Sequence, residues 1–107
     1  MLEREFQNTV IELALAQGWL VGFTYDSRRS MAGEPDLRLV HKIQKRLIFA
    51  ELKREKGKIT KGRPNRKGTW LTGQDEWAEA LEAVPGVEYY FWQPHHWDKI
   101  VEILGTP

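Results

Sequence analysis

Along the chain, apolar side chains first recur at a helical spacing and then begin to alternate. Phe6, Val10, Leu13 and Ala14 fall on one face of "EREFQNTVIELALAQ", which predicts a helix over residues 3–17 that Gly18 ends. "WLVGFTY", Trp19 to Tyr25, is dense in aromatic and branched residues and reads as a strand. The polar, basic "DSRRSMAGEP" after it is punctuated by glycine and proline and reads as a loop. "DLRLVH" and "RLIFAEL" then form a strand pair joined by the short basic link "KIQK". In the second of these strands Leu47 and Phe49 point one way while Ile48, Ala50 and Leu52 point the other. Both faces are apolar, the pattern of a central strand covered on both sides.

Beyond that strand the apolar pattern lapses into a cationic loop, residues 54–69, carrying Gly57, Gly62, Gly68 and Pro64. "TGQDEWAEALEAV", Thr72 to Val84, reads as a helix with Thr72 as its N-cap and Asp75 and Glu76 in the first turn, where the helix dipole favours acids. Pro85 and Gly86 end it. "VEYYFW" is a further strand, and "PHHWDKIVEIL" a closing helix opened by Pro94. The order α-β-β-β-α-β-α implies an α/β fold, a central mixed β-sheet flanked by helices. Short loops make the first three strands an antiparallel meander, and a helical crossover lets the last lie parallel to a neighbour.

With 107 residues the chain suits a single domain. The absence of cysteine rules out a disulfide framework and any thiolate metal site. No apolar run approaches a membrane span and no signal-peptide pattern opens the chain, so a soluble, cytoplasmic protein is expected. The net charge of +1 hides a strong asymmetry. From Lys42 to Lys67 eleven Lys and Arg face only Glu51 and Glu55, a local +9, and the rest of the chain sums to −8. One cationic third on a near-neutral chain is the footprint of a phosphate-binding surface.

The chemistry-bearing residues lie at strand tips. Glu51 and Lys53, two apart, continue the face of Leu47 and Phe49, where unpaired charge is costly. Asp36 heads the preceding strand, and in an antiparallel pair the start of one strand lies beside the end of the next. Asp36, Glu51 and Lys53 are therefore expected to converge. Two adjacent carboxylates repel unless a cation joins them or one takes a proton. Hard oxygen ligands favour Mg²⁺ or Mn²⁺, and the nearby cationic loop suits a nucleic-acid backbone. Metal-assisted phosphodiester hydrolysis is the expected chemistry, with Lys53 orienting a water or stabilising charge on phosphorus. Lys58, Lys61, Arg63, Arg66 and Lys67 are the basic-loop cations expected on DNA, with Arg54 and Lys56 at its start. Trp70 beside them is a candidate base-stacking residue. His95, His96 and Asp98 lack a third or fourth ligand at zinc spacing and read as capping or exposed residues.

"EREFQNTVIELALAQGW", "DSRRS", "GEPDLRLV", "LIFAELKREKGK", "QDEW" and "VEYYFWQPHHWDKIVEIL" occur here in an order that resembles the PD-(D/E)XK nuclease superfamily. Within it they are most similar to the small stand-alone VRR-NUC domains often encoded by phages. The resemblance spans nearly the whole chain, residues 1–107, and implies a restriction-endonuclease-like core. It implies Asp36 and Glu51 as metal ligands helped by the Leu52 backbone carbonyl, and Lys53 as the catalytic lysine. It adds a first-helix acid, Glu3 or alternatively Glu5, and Gln74 as a residue supporting the site or touching substrate. "DSRRS", with Ser27, Arg28 and Arg29, matches a loop that borders DNA in relatives. The implied activity is structure-selective endonuclease cutting of branched or four-way junction DNA by a homodimeric resolvase, in the host cytoplasm if phage-encoded, with no small-molecule cofactor. The alternative is an inactive DNA-binding module keeping the fold. The chain departs from the pattern in "ITKGRPNRKGTWLTG", inserted before the helix glutamine.

Overall fold

The structure, a computed structural model, describes residues 1–24 and 32–105. Helix α1 (Glu3–Ala16) is followed by strands β1 (Leu20–Phe23), β2 (Leu37–His41) and β3 (Arg46–Leu52). A short hairpin of β4 (Arg63–Pro64) and β5 (Trp70–Leu71) leads into α2 (Gln74–Glu82). Strand β6 (Val87–Trp92), a 3-10 turn (Pro94–His96) and α3 (Trp97–Gly105) complete the chain. The main sheet has the order β1-β2-β3-β6, with the first two pairings antiparallel and β3–β6 parallel. This is an α/β fold with a mixed sheet and helices on its faces. Among the described residues no helix is long and apolar enough to cross a membrane.

The core lies on one face of the sheet. Leu37, Leu39, Ile48, Ala50, Leu52 and Trp92 meet Phe6, Val10 and Ala14 of α1 and Ile100 and Leu104 of α3, all buried. The helical spacing of the α1 residues makes one apolar stripe, and the alternate strand residues answer it. Trp19 caps this layer, its indole N–H donating to the Leu104 carbonyl at 2.8 Å.

The opposite face is less covered than the sequence pattern implies. Ile48, Ala50 and Leu52 are buried, but Leu47 and Phe49 are only partly so. Nine-residue α2 packs on the β6 side and leaves the β1–β2 side open, where the paired Leu20 and Val40 stand 71% and 41% exposed.

Three local expectations are also corrected. The residue before α2 is Gly73 rather than Thr72, since the basic loop crosses there too closely for a side chain. The closing helix begins at Trp97, because Pro94 to His96 form a tighter 3-10 turn. The segment 54–69 is not simply a loop, because it carries β4 and the turn of a hairpin.

Candidate active site

The ladder between β2 and β3 pairs Leu37 with Ala50, so one step further Asp36 comes opposite Glu51. Buried Pro35 sets the entry of the chain into β2. Asp36 Oδ2 accepts the Leu52 N–H at 2.9 Å, and the Asp36 carbonyl accepts the Thr24 N–H at 3.2 Å. The Asp36 side chain is thereby clamped to the end of β3.

Glu51 is 1% exposed although it carries a carboxyl group. Burial, then the Asp36 carboxyl within hydrogen-bonding reach, pushes its pKa up to about 9, with Glu3 adding to the rise and Lys53 opposing it. Two acids thus share one desolvated place at the end of an inner strand. Gln74, first residue of α2, donates from Nε2 to Glu51 Oε1 at 2.9 Å and accepts the Thr60 N–H on Oε1 at 2.9 Å. Its amide therefore bridges the acid pair and the basic segment.

Lys53 continues the parallel pairing, its N–H donating to the Trp92 carbonyl at 3.0 Å. Behind it the chain doubles back, with the Gly57 N–H on the Arg54 carbonyl at 2.9 Å. A Cβ on Gly57 would stand 2.9 Å from Lys53 Cβ and 3.3 Å from Cδ, so the bare glycine backbone leaves room for the lysine stem. Buried Gln93 holds this turn, donating from Nε2 to the carbonyls of Arg54 (3.1 Å), Glu55 (2.8 Å) and Gly57 (3.1 Å). His95 Nδ1 adds a 2.7 Å contact to Glu55, whose carboxyl is held below its usual value by that contact. His96 Nδ1 accepts the Gln93 N–H at 2.9 Å.

Of the two first-helix acids, Glu3 is the one that acts on Glu51. It also lines a polar cleft with Gln7, Asn8 and Thr24. Glu5 is exposed and its carbonyl accepts the Thr9 hydroxyl at 2.9 Å. Arg54, Lys56, Lys58, Lys61, Arg63, Arg66 and Lys67 are all exposed. Ser27, Arg28 and Arg29 lie outside the described residues.

The cationic third is not one surface. Lys42 and Lys45 sit in the β2–β3 turn, at the opposite end of β3 from Glu51, about 20 Å away for a seven-residue strand. Arg46 is consumed in an ion pair with Glu88. Only the portion from Lys53 onward stays at the carboxylate end.

Two residues of this region carry no signal in the sequence that singles them out. Gln93 is a lone polar residue after an apolar strand, and its three acceptors lie 36 to 39 positions away. Tyr89, across from Phe49 on the Glu51 face, keeps a buried hydroxyl that has no hydrogen-bond partner among the described residues. Burial and then the charges of Glu51, Glu82 and Asp36 raise its pKa.

Among the described residues no three His, Cys, Asp or Glu side chains gather as a metal cluster. The donors at hand are the Asp36 and Glu51 carboxylates, hard oxygens of the type magnesium and manganese take. A desolvated acid pair that needs either a proton or a cation fits such an ion. No family model, no curated protein and no solved structure matches the chain.

Proposed function

We propose that this protein is a divalent-metal-dependent DNA endonuclease on a restriction-endonuclease-like core, of the VRR-NUC type, that cuts branched or four-way junction DNA. One observation carries the reading. Buried Glu51 meets half-buried Asp36 at the end of an inner strand, with Lys53 two residues on and an exposed cationic segment tied to the same place through Gln74. A carboxylate pair with only a structural role would be matched by cations, whereas here the acids crowd each other.

Asp36, Glu51 and the Leu52 carbonyl are the groups that would hold Mg²⁺ or Mn²⁺, which supplies Lewis acidity and an acidified water at the scissile phosphate. Gln74 keeps one Glu51 oxygen in place. The Lys53 ammonium, its stem beside the Gly57 backbone, stabilises charge developing on the phosphate oxygens. Exposed Lys and Arg side chains of residues 54–69 take the neighbouring phosphates. Cutting both strands of a junction is most economical for a symmetric homodimer.

The test is incubation of labelled linear, flapped and four-way DNA with wild type and Glu51→Ala, in Mg²⁺, Mn²⁺ and EDTA. Metal-dependent products from wild type, best on the branched substrates and reduced at least about 100-fold in the variant, are expected. Binding without cutting in every metal would instead identify a DNA-binding module that keeps the fold and does no chemistry.

A further inference from the structure

The inserted segment before α2 is organised well beyond what a solvated spacer requires. At its tip Asn65 Oδ1 accepts the N–H groups of Lys67 and Thr69, both at 2.9 Å. The Asn65 N–H donates to the Thr69 carbonyl at 2.8 Å, and the Gly68 N–H returns to the Asn65 carbonyl at 3.0 Å. The turn between β4 and β5 therefore satisfies its own backbone, which favours one shape. Around it Arg63, Arg66 and Lys67 are exposed and have no acidic partner among the described residues.

The nearest acids in the chain are otherwise engaged. Asp75 Oδ1 accepts the Gly62 N–H at 3.2 Å, and the Asp75 N–H donates to the Thr60 carbonyl at 3.2 Å. Glu76 accepts the Trp70 indole N–H at 3.1 Å and the Gly73 N–H at 2.8 Å. A Cβ on Gly73 would collide with the backbone of Lys61 and Gly62, so only glycine lets the helix start lie on the hairpin's base. Gln74, Asp75 and Glu76, the whole first turn of α2, thus bind the hairpin's base, and the first of them also holds Glu51. The negative charge of Asp75 and Glu76 goes to N–H groups and leaves the cations free.

We propose that the β4–β5 hairpin is a preformed basic ribbon that enters the major groove of duplex DNA, and that Gln74, Asp75 and Glu76 set its distance from the carboxylate pair. The ribbon's part in cutting rests on the nuclease reading above, whereas its fit to duplex does not. Two paired strands lie about 4.8 Å apart, and a two-stranded ribbon with side chains matches a groove about 12 Å wide. The deep, narrow major groove of double-stranded RNA does not admit it. A single strand has no groove to fill. In this arrangement Arg63, Arg66 and Lys67 meet phosphates or base edges of the duplex arm, and the first turn of α2 is a positioning element that decides which phosphate reaches Glu51.

The test measures binding in EDTA, so that it is independent of cutting, by anisotropy over a salt series. The probes are a B-form duplex, a single strand and a double-stranded RNA of one sequence. Wild type is expected to prefer the DNA duplex at least tenfold. Arg63→Gln/Arg66→Gln/Lys67→Gln should weaken duplex binding more than tenfold and lower the log–log salt slope by about 2 to 3. Methylating guanine N7, which projects into the major groove, should interfere with wild-type binding at one or two adjacent positions. Asp75→Asn/Glu76→Gln should keep the salt slope but scatter the cleavage position over several nucleotides. An unchanged slope in the triple variant, equal affinity for single strand or RNA, or no N7 interference would overturn the ribbon. Interference is read on the wild-type protein and does not depend on any variant folding. Hairpin-dependent duplex binding without cutting in any metal would overturn the nuclease reading alone, and cutting without hairpin-dependent binding would overturn the ribbon alone.

Discussion

The two ends of strand β3 treat charge in opposite ways. At its start Arg46 meets Glu88 on the neighbouring strand through two bonds of 2.8 and 2.7 Å, donates to the Ile103 carbonyl at 2.8 Å, and lies over the Trp19 ring. Each partner at this end answers the guanidinium with an oxygen or a π-face. At its finish Glu51 is buried beside another carboxyl group, with a lysine near and an amide holding one oxygen. The first end lowers the folded state's free energy, and the second raises it. Carboxyl groups perturbed in the second way cluster at functional sites.

Arg46→Ala breaks the favourable end and carries the largest expected effect on stability. It leaves Glu88 with only the Tyr90 hydroxyl as donor and takes the guanidinium from the Ile103 carbonyl, with pair members only 20% and 28% exposed. Denaturant unfolding should show a loss of about 3 kcal/mol. Cleavage per folded molecule should hold, since the pair lies at the far end of the strand. The arginine holds the Glu88 carboxyl below its usual value. Its contribution is therefore full at neutral pH and is lost as pH falls through the acid range. Glu88→Gln should flatten that acid limb. A loss of cleavage as deep as that of Glu51→Ala would erase the distinction between the ends.

The strained end predicts the reverse sign. With the Glu51 pKa near 9 against an ordinary 4.5, the metal-free folded state binds a proton that the unfolded chain gives up. Its stability therefore falls as pH rises from about 5 toward 9. Glu51→Gln should raise the melting temperature of metal-free protein by several degrees at pH 8. That gain should shrink toward zero near pH 5, and cleavage should be lost throughout. A variant less stable than wild type at pH 8 would show that Glu51 is already well compensated.

Between the ends in size is the clamp on Lys53. Gln93→Ala removes the amide that three carbonyls share, of which that of Arg54 keeps the Gly57 N–H, and should cost about 1–2 kcal/mol. If the clamp positions the lysine, kcat falls about tenfold with little change in KM for DNA, and Gln93→Glu, unable to donate, fails to restore it. A rise in KM alone would make the turn a DNA contact instead.

These features differ in how far they could be read in advance. The bounds of β3 and β6 follow from stretches dense in apolar and aromatic residues, and both strands end where expected, at Leu52 and Trp92. The meeting of Asp36 with Glu51 follows from antiparallel register, which sequence order and a short link already imply. The hairpin escapes notice because its strands are two residues long and are held by Asn65 and the acids of α2, not by alternation. Gln93 escapes because its partners are distant in the chain. The cationic block from Lys42 to Lys67 misleads because β3 runs through it and carries its two halves to opposite ends of the sheet.

Tyr89 offers the finest probe of the strained end. Its hydroxyl is buried within reach of the charges of Glu51, Glu82 and Asp36, with no hydrogen-bond partner among the described residues, so it adds a desolvated dipole on the acid pair's face of the sheet. Removing a buried polar group that makes no bond should be neutral or mildly stabilising, up to about 1 kcal/mol, in Tyr89→Phe. If the hydroxyl only fills space, cleavage and stability both hold. If it donates to a ligand oxygen at the acid pair, the variant gains stability while its metal-dependent rate falls, the same opposition of signs as Glu51→Gln on a smaller scale. A Tyr89→Phe protein that is clearly destabilised would mean the hydroxyl is satisfied in solution, and the strained end would then consist of the two carboxyl groups alone.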